Sequence, residues 1–193
     1  MKYLIFFIVA VFGVPMMASM AAKSEKVRGG VLTFVIASTA MANQIKINFV
    51  STESYRGPER GFELNLTDLG AWALIIALLM QHQKRIKWLP YNSLPLAGLF
   101  LCALISSASA PQMLYASFAL FKMVRAFLLY WAVVNTLRSG VSRESLWRGF
   151  LMIGMYVTYL ALKQKYLHHI YRVPGPFDHS NTVPLFLNLV MPV

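Results

Sequence analysis

Two arginines flank a Gly-Pro turn in the segment Tyr55-Arg56-Gly57-Pro58-Glu59-Arg60-Gly61-Phe62-Glu63. A guanidinium fork matches phosphate oxygens bidentately, and glycine lets backbone approach a ligand. The alternative is a solvated turn in which Arg56 and Arg60 pair with Glu59 and Glu63. A second group reads Tyr171-Arg172-Val173-Pro174-Gly175-Pro176-Phe177-Asp178-His179-Ser180-Asn181. Pro-Gly-Pro breaks a helix, so this is a shaped loop, and Arg172, Asp178, His179 and Asn181 can converge there on a polar ligand. Its alternative is an interfacial loop whose Asn181 caps the next helix. The third group, Lys122 and Arg125, sits three residues apart inside an apolar stretch, on one helical face. Lys122 lies nine residues in, about 14 Å deep. Charges at that depth face a cavity, a partner or a ligand, unless their long side chains snorkel to the nearer end.

Other chemistries find no residues. His168 and His169 are adjacent and point about 100° apart on a helix, which is no metal signature. Cys102 is the single cysteine, so there is no disulfide framework; it reads as a small core residue. The chain has no phosphate-binding glycine loop, no nucleophile elbow and no paired carboxylates within an apolar stretch. Asp68 stands alone at the start of one, where it or Thr67 would cap a helix. Neither a cofactor nor a metal is called for.

The elements that must carry these groups are apolar and long. Stretches run over Tyr3–Ala22, Val31–Val50, Leu66–Gln81, Ser93–Ala110, Met113–Leu137 and Trp147–Leu162, and another opens at Val183. A spanning helix needs about 20 mostly apolar residues. The runs are continuous rather than alternating, so they are helices and not barrel strands. Hydrophobic residues make up 58% of the chain and charged residues 13%. Soluble domains carry about 25% charged residues, so one water-soluble core cannot hide this much apolar surface. The expectation is an all-α, polytopic transmembrane bundle: about six spans and the start of a seventh, in one transmembrane domain over residues 1–193. The half-length last stretch suggests the N-terminal part of a longer polypeptide. Met17-Ala18-Ser19-Met20-Ala21 loosely resembles a signal-peptide end, but the segment reads as a membrane helix.

Charge sets the topology. The net charge is +11, which in a soluble protein would suggest nucleic acid. Here the cations lie between apolar stretches, where they act as topology signals and contacts to membrane lipids, so nucleic acid is excluded as a partner. Lys23, Lys26, Arg28, Lys84, Arg85, Lys87, Arg138, Arg143 and Arg148 fall on one side, opposed only by Glu25 and Glu144. That side is cytoplasmic by the positive-inside rule. Cytoplasmic loops are expected at about 81–92 and 138–148, and outer loops at about 51–65 and 163–182. The N-terminus then lies outside. The alternative keeps it inside and makes Val31–Val50 re-entrant or interfacial.

The stretch Gln164–Pro192 resembles the mid-chain signature of the O-antigen ligase and polymerase family. Arg172, Gly175, Phe177, His179, Ser180 and Asn181 fill its pattern of Arg, two residues, Gly, a residue, Phe, a residue, His, a small residue or Pro, then Asn. The run Arg56, Gly57, Gly61, Phe62, Asp68 and the run Phe121–Arg138 also look like members. The resemblance implies an inner-membrane enzyme that moves a glycan from an undecaprenyl-pyrophosphate carrier to an acceptor glycan or lipid on the outer face. It implies Arg56, Arg60, Lys122, Arg125, Arg172, His179 and Asn181 as substrate-binding candidates. The catalytic residues are unknown; the resemblance puts them in a large outer loop beyond Val193, so that residues 1–193 alone are expected to be inactive. The competing class is a non-enzymatic transporter or flippase of lipid-linked glycans, which an internal inverted repeat would favour.

Overall fold

The computed structural model describes residues 2–42, 46–51, 61–81, 86–177 and 180–190. Helix α1 covers Tyr3–Lys23 and contains a π turn at Val9–Gly13. Pro15 has no N–H to return to the preceding turn, and the wider turn lies immediately before it. Ser24 breaks the helix with extended backbone (φ −133°), and its side chain accepts from Val27 N to start α2, Glu25–Ser38. A short 3₁₀ turn, Thr39–Met41, finishes α2. Strands β1 (Lys46–Ser51) and β2 (Gly61–Asn65) pair antiparallel, with Lys46 opposite Asn65 and Asn48 opposite Glu63. Helices α3 (Leu66–Met80), α4 (Ser93–Ala108), α5 (Met113–Arg138), α6 (Glu144–Leu167) and α7 (Thr182–Val190) follow.

The chain is mostly helical but not all-α. The stretch Val31–Val50 splits into a helix and a strand, because polar Asn43, Gln44 and Lys46 cut the apolar run. β-branched and aromatic residues then alternate with polar ones through Lys46-Ile47-Asn48-Phe49, a period-two pattern. The expected outer loop at 51–65 thus holds a strand over its last five residues. The expected outer loop at 163–182 begins helical, since Lys163–Leu167 extends α6 by a π turn. Among the described residues, three helices are long and apolar enough to cross a membrane: α1 with 21 residues, α5 with 26 and α6 with 24. Helices α3 and α4 are apolar but shorter.

Two ends of the bundle are defined by contacts. At one end Tyr3 Oη donates to Asn48 O at 3.0 Å, and Phe6 meets Phe49 edge-on at 6.1 Å. At the other, Gln81 Nε2 donates to Ala22 O, and buried Arg28 donates to Ala21 O at 3.2 Å and Ser139 O at 3.4 Å. Arg28 thereby satisfies carbonyls at the C-terminal ends of α1 and α5, where the helix dipole favours a cation. α2 leads from the Arg28 end to the layer of Thr67, whose Oγ1 is 3.0 Å from Ser38 Oγ. Tyr3 is thus beside the hairpin, and Lys23, Arg28 and Ser139 are together at the opposite end.

Helix α3 lies at the centre, with Leu69, Ala71, Ala73, Leu74, Ala77 and Leu78 buried. Alanines alternate with Val, Leu and Ile in the core and let helices approach closely. A Cβ on Gly70 would meet Val35 Cγ2 at 2.5 Å, and one on Gly149 would meet Ile36 Cβ at 2.7 Å. Large apolar side chains face outward instead, among them Phe12, Leu94, Ile105, Met113 and Leu151. Cys102, expected in the core, is among the exposed residues of α4. Trp131 Nε1 donates to Trp88 O at 3.0 Å near the basic end, a position that suits an amphipathic ring at an interface.

Candidate functional site

Asn65 closes β2 and caps α3. Its side chain accepts from Asp68 N at 3.2 Å, while Asp68 Oδ2 accepts from Asn65 N at 2.8 Å, a reciprocal capping box. Asp68 does more than cap. Its carboxylate also receives Arg125, with Nε to Oδ1 at 3.0 Å and Nη2 to Oδ2 alongside. The two side chains are 10% and 16% exposed. Arg125 further lies over the Phe121 ring, 5.8 Å from its centroid. Phe62 of β2 packs edge-on against Phe118 at 5.0 Å and Phe121 at 5.2 Å. Thr67 Oγ1 and Ser38 Oγ are 3.0 Å apart, tying α3 to α2 in the same layer. The hairpin, α3 and α5 thus meet at one polar node. Arg125 is tolerated within its helix because a carboxylate takes both arms of one fork.

The second candidate segment is anchored rather than merely connected. Gln164 Nε2 donates to Gly175 O at 2.8 Å, and Gly175 N donates to Gln164 Oε1 at 2.9 Å. One side-chain amide thus closes both backbone groups of the glycine. Gly175 has φ +62°, a left-handed conformation that disfavours a side chain, and it is buried against Val183. Phe177 packs on Phe186 of α7 at 4.9 Å. Lys165 stands over the Tyr171 ring at 5.3 Å. Arg172 is exposed on this fixed loop, and Asn181 is exposed immediately before α7.

The other candidates fall differently. Lys122 is exposed, while Arg125 is half-buried and held by Asp68. Arg56, Arg60 and His179 lie outside the described residues. Among the described residues, no group of three or more His, Cys, Asp or Glu could hold a metal ion. An open apolar groove of about 900 Å³ runs along α6 past Trp147, Leu151 and Tyr159, and holds none of the candidates.

Two residues were missed as partners. The sequence presents Asp68 as a cap, although the lone acid beside an apolar stretch and an arginine inside another are natural partners in a low-dielectric setting. Gln164 gave no signal, because its role depends on a π turn that sequence periodicity does not reveal.

The fold is thus mostly helical, with three helices of membrane-spanning length among the described residues. No family model, curated protein or solved structure matches the chain.

Proposed function

We propose that the protein is a multi-pass protein of a bacterial inner membrane that takes part in transferring a glycan from an undecaprenyl-pyrophosphate carrier to an acceptor on the outer face, in O-antigen or exopolysaccharide biosynthesis. In this reading α1 to α6 are six spans and α7 opens a seventh. The clustering of Lys23, Lys26, Arg28, Arg138 and Arg143 at one end supports a cytoplasmic assignment for that end.

The observation that carries the proposal is the Gln164–Gly175 clamp. It fixes the loop that bears Arg172, Gly175 and Phe177 of the ligase-like pattern in one shape at the end of a long apolar helix. Exposed, charged and held in place, Arg172 suits a ligand at a membrane surface.

The reaction would join an acceptor hydroxyl oxygen to the anomeric carbon. The bond from that carbon to the pyrophosphate oxygen breaks, and undecaprenyl pyrophosphate leaves with the electron pair. Positive charge is required where that negative charge develops. Arg172 is the candidate best placed to supply it. Arg125 is already engaged by Asp68, so its part is to hold the hairpin and α5 together. Arg56 and Arg60 remain candidates on the same outer side. The proton leaves the acceptor for a base that these residues do not identify. The test is transfer by the full protein in proteoliposomes supplied with the carrier-linked glycan and acceptor. Product formation supports the proposal; its absence with correctly inserted protein overturns it.

A further inference from the structure

Residues 86–92 lead into α4 as a loop whose backbone is tied to α5. Buried Asn135 accepts from Lys87 N at 2.9 Å and donates to Lys87 O at 3.1 Å, so one side-chain amide closes both backbone groups of the lysine. Trp131 Nε1 donates to Trp88 O, and Asn92 N donates to Tyr130 Oη at 3.3 Å. The side chains on this fixed backbone are left uncovered: Trp88 is 71% exposed, Leu89 63% and Tyr91 91%. Folding thus orders three large apolar or amphipathic groups side by side without burying them, which marks an interaction surface.

Charge says what that surface takes. Asn135 lies one turn before Arg138, the last residue of α5, so the amide holds Lys87 beside that final turn. Both cations are exposed, and among the described residues neither pairs with a carboxylate. The hairpin end differs, because there Lys46 is matched by Glu63 and Arg125 by Asp68. The loop therefore offers unmatched positive charge to an anion, next to rings that favour the boundary between water and hydrocarbon. Helix α4 continues the surface. Ser93 is its one buried residue, and Leu94, Leu99, Leu101 and Ile105 are exposed. An apolar helix left bare along its length suits acyl chains, and the cations beside its start suit their head groups.

We infer that the loop 86–92, together with Arg138, is a preformed site for an anionic phospholipid of the leaflet at the basic end. Lys87 and Arg138 take the phosphate of the head group, Trp88 and Tyr91 sit at the boundary, and the acyl chains lie along α4. Asn135 and Trp131 already hold the backbone, so binding does not have to order the loop, and its entropic cost is lower. The inference rests on insertion of the helices in a bilayer and not on glycan transfer, so its test needs no transfer assay.

The experiment uses the full protein carrying Trp72→Phe and Trp147→Phe, which leaves exposed Trp88 and buried Trp131 as the indole fluorophores. It is reconstituted in phosphatidylcholine vesicles, and quenching by brominated phosphatidylglycerol is compared with quenching by brominated phosphatidylcholine at equal mole fraction. The inference expects phosphatidylglycerol to be favoured about threefold or more at the indole. Lys87→Gln with Arg138→Gln should abolish that preference. Arg143→Gln with Arg148→Gln removes the same number of cations from the adjacent start of α6 and should retain it. All four side chains are exposed, so these variants report binding rather than folding. No preference in the parent protein, a preference that survives loss of Lys87 and Arg138, or one lost equally in the Arg143 and Arg148 variant would overturn the site. So would quenching undiminished by Trp88→Phe, since the signal would then come from elsewhere.

Discussion

Asp68 grips the Arg125 guanidinium by two hydrogen bonds while accepting a third from Asn65 N, so one carboxylate joins the hairpin, α3 and α5. Removing one member of a buried ion pair leaves the other charge uncompensated and typically costs about 3–5 kcal/mol. Arg125→Ala and Asp68→Ala should therefore both lower membrane abundance and thermal stability. The double variant Asp68→Asn, Arg125→Leu should be more stable than Arg125→Ala, because no orphan charge remains. Thermal unfolding in detergent measures this. Full stability of both single variants would mean that the pair contributes little to the fold.

The Gln164 clamp makes a local prediction. Gln164→Glu keeps an acceptor for Gly175 N but loses the donor to Gly175 O. Gln164→Ala loses both. Loop loosening should rank wild type, Glu, then Ala, read as the rate of limited trypsin cleavage after Arg172. Gly175→Ala should also loosen the loop, since the left-handed backbone costs a side-chain residue about 1–2 kcal/mol. Unchanged cleavage in Gln164→Ala would show that the loop holds its shape by other means.

Packing at the small-residue contacts is tight enough to test by adding one methyl. Gly149→Ala places Cβ at 2.7 Å from Ile36 Cβ and Gly70→Ala places it at 2.5 Å from Val35 Cγ2. Each should destabilise by about 1–3 kcal/mol, as overpacked cores do. Gly98→Ala meets nothing within 4 Å and should be neutral. Melting temperatures of the three variants in one detergent check the ranking. A Gly98→Ala loss as large as the others would argue that these glycines are not packing contacts.

Sequence patterning made the helices legible because continuous apolar runs leave lipid-compatible backbone few alternatives. Leu66–Met80, Ser93–Ala108 and Met113–Arg138 begin and end within a few residues of the apolar stretches. The hairpin was hidden because Val31–Val50 averages as apolar, although its second half alternates. Asp68 is legible as a helix-start residue, but the cap itself is Asn65 and not Thr67 or Asp68, and the ion pair depends on how α3 and α5 pack. The fixed shape of the Arg172 loop came from a π turn that aims Gln164 at Gly175, and no local pattern announces that geometry.

The most direct test of the proposed function compares two arginines on opposite ends of the bundle. Arg172→Ala and Arg143→Ala are assayed in the full protein for transfer from the carrier-linked glycan, with membrane abundance measured in parallel. Arg172 stands on the clamped loop, whereas Arg143 starts α6 at the basic end. Losing one charge-assisted contact to a developing anion costs about 2.7–4 kcal/mol, roughly a hundredfold or more in rate. The account predicts that loss for Arg172→Ala, partial recovery in Arg172→Lys and near-normal transfer for Arg143→Ala. Undiminished transfer by Arg172→Ala at normal abundance would contradict it.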